Sequence, residues 1–390
     1  MNLLIGHKAS FALLLSMGLL LMASMGCSRI SNPQGWSGGV IVDDALIMGS
    51  MDGQVLSINP DNGTQNWPPA KIRVEEKQEN KRAVYGTPAI YQDVVFVASY
   101  DGKVQAFALH DGRLLESEPV ANEFVGGPVF SEGRLFVGSS DGIMHAYDVE
   151  VNGQTVILEK AWEFSVDASI WSTAAVEGNI LVFSSLDHYV YALDTERGKE
   201  LWKFQTGAAV AANPVLHKGN VYVGSFDSVF YSIDAFSGDE NWKFSGASNW
   251  YWATPVLTDK YIYAPSLDGK IYALEISTGE MRWETEEFGP IISSPAIVSD
   301  MIVFGSRDGE LRVAELSSGM ILGSCDIDEK IESPITSLGD SIYFSARDHS
   351  VRALIIKQNG NPDEKWDSPY FSNKAEDGDD PNPKDWSPSC

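Results

Sequence analysis

Eight aspartates recur in one local pattern: Asp52, Asp101, Asp141, Asp187, Asp227, Asp268, Asp308 and Asp348. A serine stands two residues before each of them except Asp348, where the place holds Ala346. A circle of carboxylates is a possible cation site or a source of acid–base pairs. The neighbours favour a plainer role. Glycine follows most of these aspartates, and Asp-Gly between two strands reads as a type I′ hairpin with positive φ at both central residues. Asp187-His188 and Asp348-His349 still fit, because Asp and His tolerate that region better than most residues. The turn is therefore the expected role. The other histidines, His7, His110, His145 and His217, occupy unrelated positions and show no HExxH spacing. No Ser/His/Asp arrangement or phosphate loop stands out. Cys27, Cys325 and Cys390 form no CxxC pair, which argues against structural zinc and attached haem. Pairing of Cys325 with Cys390 in an oxidising compartment stays open.

The elements that carry these residues follow from the spacing. The aspartates lie 49, 40, 46, 40, 41, 40 and 40 residues apart, so the chain is an array of eight similar units. Within each unit a short strand opens after Pro or a small residue, as at Pro88, Pro128, Pro214, Pro255, Pro295 and Pro334. A dense apolar strand follows, such as Val94 to Val97. The Asp hairpin comes next, then an alternating strand such as Lys270 to Glu275. A glycine turn and a last strand close the unit, with tryptophan at Trp67, Trp202, Trp242 and Trp283, and later at Trp162 and Trp366. Repeats two and seven hold Glu116 and Gly323 instead. Four strands with turns about every ten residues indicate antiparallel β-structure. One such sheet cannot bury both faces, whereas eight standing around an axis can. The expected fold is all-β: a single eight-bladed β-propeller of four-stranded antiparallel blades over residues 36–366. The repeat tryptophans are expected to dock between blades, each giving its indole N–H to a carbonyl.

Lysine and arginine number 28 against 54 acids, a formal net charge of −26. A surface this acidic repels phosphate backbones and argues against a nucleic-acid binder. Residues 1–26 carry Lys8 and then an uncharged stretch rich in Leu, Met and Ala, the pattern of an export signal. Cys27 follows directly and is expected to carry lipid, with 27–35 as a linker. The alternative is an uncleaved anchor, since residues 9–26 could just span a bilayer. Either way the ring is expected outside the cytoplasm and held to a membrane. Residues 73–84 lengthen the first link and read as a solvated, charged loop. The acidic, proline-bearing tail 367–390 is expected to be disordered.

The unit Ser-x-Asp-Gly-x-apolar-Tyr-Ala-Leu, followed by Gly and Trp, resembles the pyrroloquinoline quinone (PQQ) repeat. The clearest copies begin at Leu186 and Leu267. Two families share it. Quinoprotein dehydrogenases bind PQQ and calcium, and many carry adjacent cysteines over the cofactor. The three cysteines here are far apart, and no calcium set matches. The outer-membrane assembly lipoproteins of the BamB family are similar to this chain in whole layout: a lipid anchor and one eight-bladed ring without cofactor. That resemblance implies a monomeric, non-catalytic scaffold that docks another envelope protein, possessing neither catalytic residues nor metal. The competing classes are a PQQ-dependent oxidoreductase and a ligand-sensing propeller.

One further set repeats in phase. Three residues before each strand-opening position lie Trp36, Tyr85, Val125, Trp171, Ala211, Trp252, Ile292 and Ile331. In a ring they should fall on one circle at the entrance to the innermost strands. Packing between blades is the expected role. The alternative is a binding rim of Trp36, Tyr85, Trp171 and Trp252 for an extended peptide or another ligand.

Overall fold

A computed structural model describes residues 35–74, 81–119, 122–153, 155–367, 369–371 and 390. The export segment, Cys27, most of the linker and residues 372–389 of the tail lie outside the described residues. Eight antiparallel sheets follow one another along the chain, over residues 39–71, 89–119, 129–165, 175–205, 215–244, 256–284, 296–326 and 336–371. Each sheet is a meander whose four strands pair in chain order. The opening strands of blades 2 to 5 touch in turn, as do those of blades 7 and 8, and the strand of blade 1 touches that of blade 8, so these strands surround the axis. The second strands are buried between neighbouring blades, as the runs of Val, Ile and Phe require: Val94–Ala98, Ile180–Ser184 and Met301–Gly305 are buried throughout.

The aspartate hairpins are not type I′ turns. Only the residue after the aspartate has positive φ: Gly53, Gly102, Gly142, His188, Ser228, Gly269, Gly309 and His349. Gly53 N–H donates to the Ser50 carbonyl, and Ser50 N–H donates to Gln54. This is a three-residue loop, a type I turn closed by one left-handed residue. The aspartate keeps an ordinary negative φ, so its carboxylate rather than its backbone is what the position selects. In blades 4 to 6 that carboxylate accepts the N–H two residues on and the phenol of Tyr191, Tyr231 or Tyr272, at 2.7–2.8 Å.

The tryptophans bind the blades to one another. Trp67, Trp162, Trp202, Trp242, Trp283 and Trp366 donate their indole N–H to a carbonyl of the next blade, namely Leu109, Thr195, Ala235, Ile276, Leu316 and Pro60. Each ring lies against a turn glycine of that blade. At Gly279 (φ +72°) an added Cβ would stand 2.4 Å from Trp242, so glycine is needed for space as well as conformation. Opposite Trp162, Trp202, Trp242 and Trp283 the third strand carries a small residue: Ala146, Ala192, Ser232 and Ala273.

Two joints lack a tryptophan, and each has a substitute. Between blades 2 and 3 the hairpin Ile143–Asn152/Thr155–Ser165 is extended, and its Val149, Val151, Val156 and Leu158 pack with Leu115 of blade 2. Between blades 7 and 8, Arg352 is buried and donates to Ser350 Oγ at 2.9 Å, to the Ile327 carbonyl at 2.8 Å and to Asp348 at 2.5 Å. Cys325, fully buried in the same joint, is disulfide-bonded to Cys390.

Among the described residues the ring closes without exchange of strands. Blade 8 supplies its own outer strand in two pieces, Pro362–Glu364 and Tyr370–Phe371, both paired to Ser350–Ile356. The seam between blades 8 and 1 is made by side chains. Trp366 packs with Leu46, Met48, Leu56 and Ile58. Thr336 and Gly39 exchange two hydrogen bonds, and His349 meets Asp52 at 2.8 Å.

That last contact makes the seam sensitive to pH. The hydrogen bond to Asp52 raises the His349 pKa, with burial opposing. A raised histidine pKa adds stability fully present below the unfolded value near 6.5 and lost as pH rises through the folded value. Histidine 145 works in the opposite sense, because burial lowers its pKa despite Glu163. The stability gap between the parent and His349→Asn should therefore be widest near pH 5.5 and close by pH 8. With a third of His349 exposed, solvent screening limits the gap to about 1 kcal/mol. Urea melts at the two pH values measure it, and a gap that widens toward pH 8 would show the opposite linkage.

Candidate axial funnel

Where the eight opening strands meet, the connections between blades line a shallow depression. Seven of the eight in-phase positions face it: Trp36, Tyr85, Val125, Trp171, Ala211, Trp252 and Ile292. Ile331 does not. It is fully buried, and its neighbour Glu332 lines the wall instead.

The four aromatic residues form two groups. Trp36 meets Tyr85 edge to face at 4.7 Å, and Tyr85 is buried. Trp171 and Trp252 come from alternate blades and lie 6.0 Å apart across Ala211 at 54°. Phe226 stacks on Trp252 at 5.4 Å and on Trp250 at 4.6 Å, which fixes the Trp252 ring and carries the aromatic surface outward. Trp250 is 46% exposed. Trp36, Trp171 and Trp252 are half-buried, so packing accounts for part of each ring only.

Below the aromatic collar lies a polar layer of Thr87, Thr173, Asn213, Thr254 and Ser294. Its members link blade to blade. Thr173 Oγ1 accepts from Gly127 N–H, and Asn213 accepts from Thr173 N–H, both at 2.7 Å. Asn213 donates to Thr254 Oγ1 at 2.8 Å, and Thr254 N–H donates to Ser294 Oγ at 3.1 Å. Around the rest of the axis Ser37 donates to the Gly86 carbonyl and Ser293 to the Ser333 carbonyl. The repeated small polar residue beside each strand-opening proline thus serves as a belt.

Charge enters at one edge. The Glu332 carboxylate, 2% exposed, takes Arg307 at 2.7 Å and Arg347 at 2.9 Å. Both arginines stand directly before a repeat aspartate, where blades 5 and 6 carry Phe226 and Leu267. The two guanidiniums compensate the charge of this buried carboxylate.

A second constellation has the outline of a hydrolytic triad. Ser139 Oγ lies 3.2 Å from His145 Nε2, and His145 Nδ1 lies 3.1 Å from Glu163. The string Gly138 to Gly142 also spells G-x-S-x-G, but its central serine is Ser140 rather than Ser139. Neither supports a nucleophile. Ser139 is fully buried and donates to Asp141 at 2.5 Å, and the string sits between antiparallel strands rather than before a helix. His145 occupies the place four residues after the aspartate, held by apolar Leu56 in blade 1 and by Gln105, Tyr191, Tyr231, Tyr272, Arg312 and Arg352 in six other blades. These side chains anchor the hairpins. Burial opposes it, yet hydrogen bonds from Arg312 and Ser306 hold the Asp308 pKa down to about 2. Burial and the adjacent aspartate push the Tyr191 phenol far up. Sequence reading missed this set, although its signal, a polar or aromatic residue at constant offset, was present. Among the described residues no group of three or more His, Cys, Asp or Glu is placed to hold a metal ion.

Comparison with known proteins agrees with the geometry. A protein of Taylorella asinigenitalis, "Outer membrane protein assembly factor BamB", is 25% identical over 163 residues, 40% of each chain. The match thus spans less than half of that relative. The crystal structure of BamB from Moraxella catarrhalis superposes with a TM-score of 0.68 at 17% identity, covering 85% of this chain and 96% of that one. The computationally designed Ika8 protein superposes at 0.71 and 18% identity, covering 83% and 97%. The two structures share the fold. The family model for outer membrane protein assembly factor BamB matches residues 35–156, 159–249 and 233–361, nearly the whole ring. The chain is a PQQ-repeat propeller and belongs to the BamB family.

Proposed function

We propose that this ring is a non-catalytic protein-binding scaffold of the cell envelope, exported by residues 1–26, held to a membrane through lipid on Cys27, and active in assembling envelope or outer-membrane proteins. The family match through residues 35–361 carries the reading. The outer strands support it. Glu200–Gln205, Glu240–Phe244 and Met281–Glu284 end their sheets, leaving a ladder edge on which a partner can add a strand. They are short and carry Lys203 and Lys243, which discourages indiscriminate pairing.

The test places a photo-crosslinking residue at Lys203 or Lys243 in cells of the source bacterium. Adducts with envelope-assembly proteins are expected, together with fatty-acid labelling that disappears in Cys27→Ala. A parallel incubation of the purified protein with PQQ and Ca²⁺ should give no dye-linked oxidation of alcohols or sugars. Turnover there would replace the scaffold with an oxidoreductase.

A further inference from the structure

We propose that the axial funnel binds the terminal ring of a neutral saccharide. The two layers of the funnel make complementary demands on an occupant. The collar of Trp36, Trp171 and Trp252 offers half-buried indole rings, which suit a flat apolar surface such as the C–H face of a pyranose. The layer beneath offers hydroxyl hydrogens. Thr173 and Thr254 accept hydrogen bonds from Gly127 and Asn213, and Ser294 accepts from Thr254. Among the described residues none of these three hydroxyls donates to the protein, and Thr87 lines the same layer. Each can donate to a ligand oxygen.

Charge and donor chemistry separate the candidates. A quaternary ammonium suits an aromatic cage, but it has no oxygen for the hydroxyl layer and would bury those donors unpaired. An anion could accept from them, yet it must approach a protein of net charge −26 and sit beside the Glu332 carboxylate, whose two arginines are already engaged with it. A neutral polyol with one apolar face satisfies both layers and brings no charge. The Phe226–Trp250 stack holds the Trp252 plane in position, which limits the ordering cost of binding.

The experiment titrates the full-length chain, kept in a detergent without sugar headgroups, with glucose, maltose, cellobiose and N,N′-diacetylchitobiose. Tryptophan fluorescence and calorimetry give the readout. At least one sugar should bind with Kd of about 1 mM or tighter. Trp252→Ala and the near-isosteric Thr254→Val should each weaken it about tenfold, a loss of about 1.4 kcal/mol, with a single cooperative melting transition retained. Should Trp252→Ala misfold, Trp171→Phe and Thr254→Val carry the comparison. No response to any of the four sugars up to about 20 mM overturns the proposal. So does unchanged affinity in the folded variants, or binding of choline in place of sugar. The scaffold reading is independent of these outcomes, because its crosslinks are sought on the outer strands.

Discussion

Replacing Trp366 by alanine is expected to destabilise the ring by about 3–5 kcal/mol, the range for a large aromatic removed from a packed core. The indole is 3% exposed, packs with Tyr343 at 5.8 Å and donates to the Pro60 carbonyl at 3.1 Å. Five other joints have the same device, but this one closes the circle, and among the described residues no strand crosses it. Loss of the ring should therefore also loosen the edges of blades 1 and 8. Urea melts give the first quantity, and limited proteolysis the second. Trp250→Ala, at an exposed position, is the control and should cost about 0.5 kcal/mol or less. A Trp366→Ala loss below about 1 kcal/mol would show that the seam is held by something other than this contact.

Arg352→Met should cost about 3–5 kcal/mol, the range for breaking a buried ion pair from one side. Arg352 is 2% exposed and joins the Asp348 hairpin of blade 8 to the Ile327 carbonyl of blade 7. Methionine keeps the apolar volume and removes every donor, so Asp348 loses its ion pair, keeping only the Ser350 N–H and hydroxyl, and the Ile327 carbonyl loses the guanidinium. The double variant Arg352→Met/Asp348→Asn should recover a large part of the loss, because it no longer buries an uncompensated charge. If the double variant is as unstable as the sum of the single ones, the ion pair is not the source. Tyr272→Phe removes a neutral donor from the equivalent place in blade 6 and should cost only about 1–2 kcal/mol. The contrast tests whether the arginine stands in for the tryptophan absent at Gly323.

The residues explain how much of this was legible beforehand. The eightfold period and the docking tryptophans were, because each position meets the same physical demand in every blade, burial between sheets with one N–H to satisfy. The turn type was misjudged at Asp187 and its equivalents. Asp-Gly suits both a type I′ turn and a type I turn closed by one left-handed residue, and only the backbone separates them. The place four residues beyond each aspartate stayed hidden because its chemistry changes from Gln105 through Tyr191 to Arg352 while its geometry stays fixed. The funnel was half legible. The phase of Trp36, Tyr85, Trp171 and Trp252 predicted a circle, and the structure gathers them at one mouth. That Glu332 would displace Ile331 there depends on Arg307 and Arg347, which approach from hairpins on two different blades.

Because every sheet owns all four of its strands, the eight segments are interchangeable in principle. A cut in any connection between blades leaves all eight meanders whole, and the gap opened by the cut is the same kind of gap that already exists between the first meander and the last. The natural ends of the ring are thus one choice among eight, and a rearranged gene that began at another blade would encode the same circle.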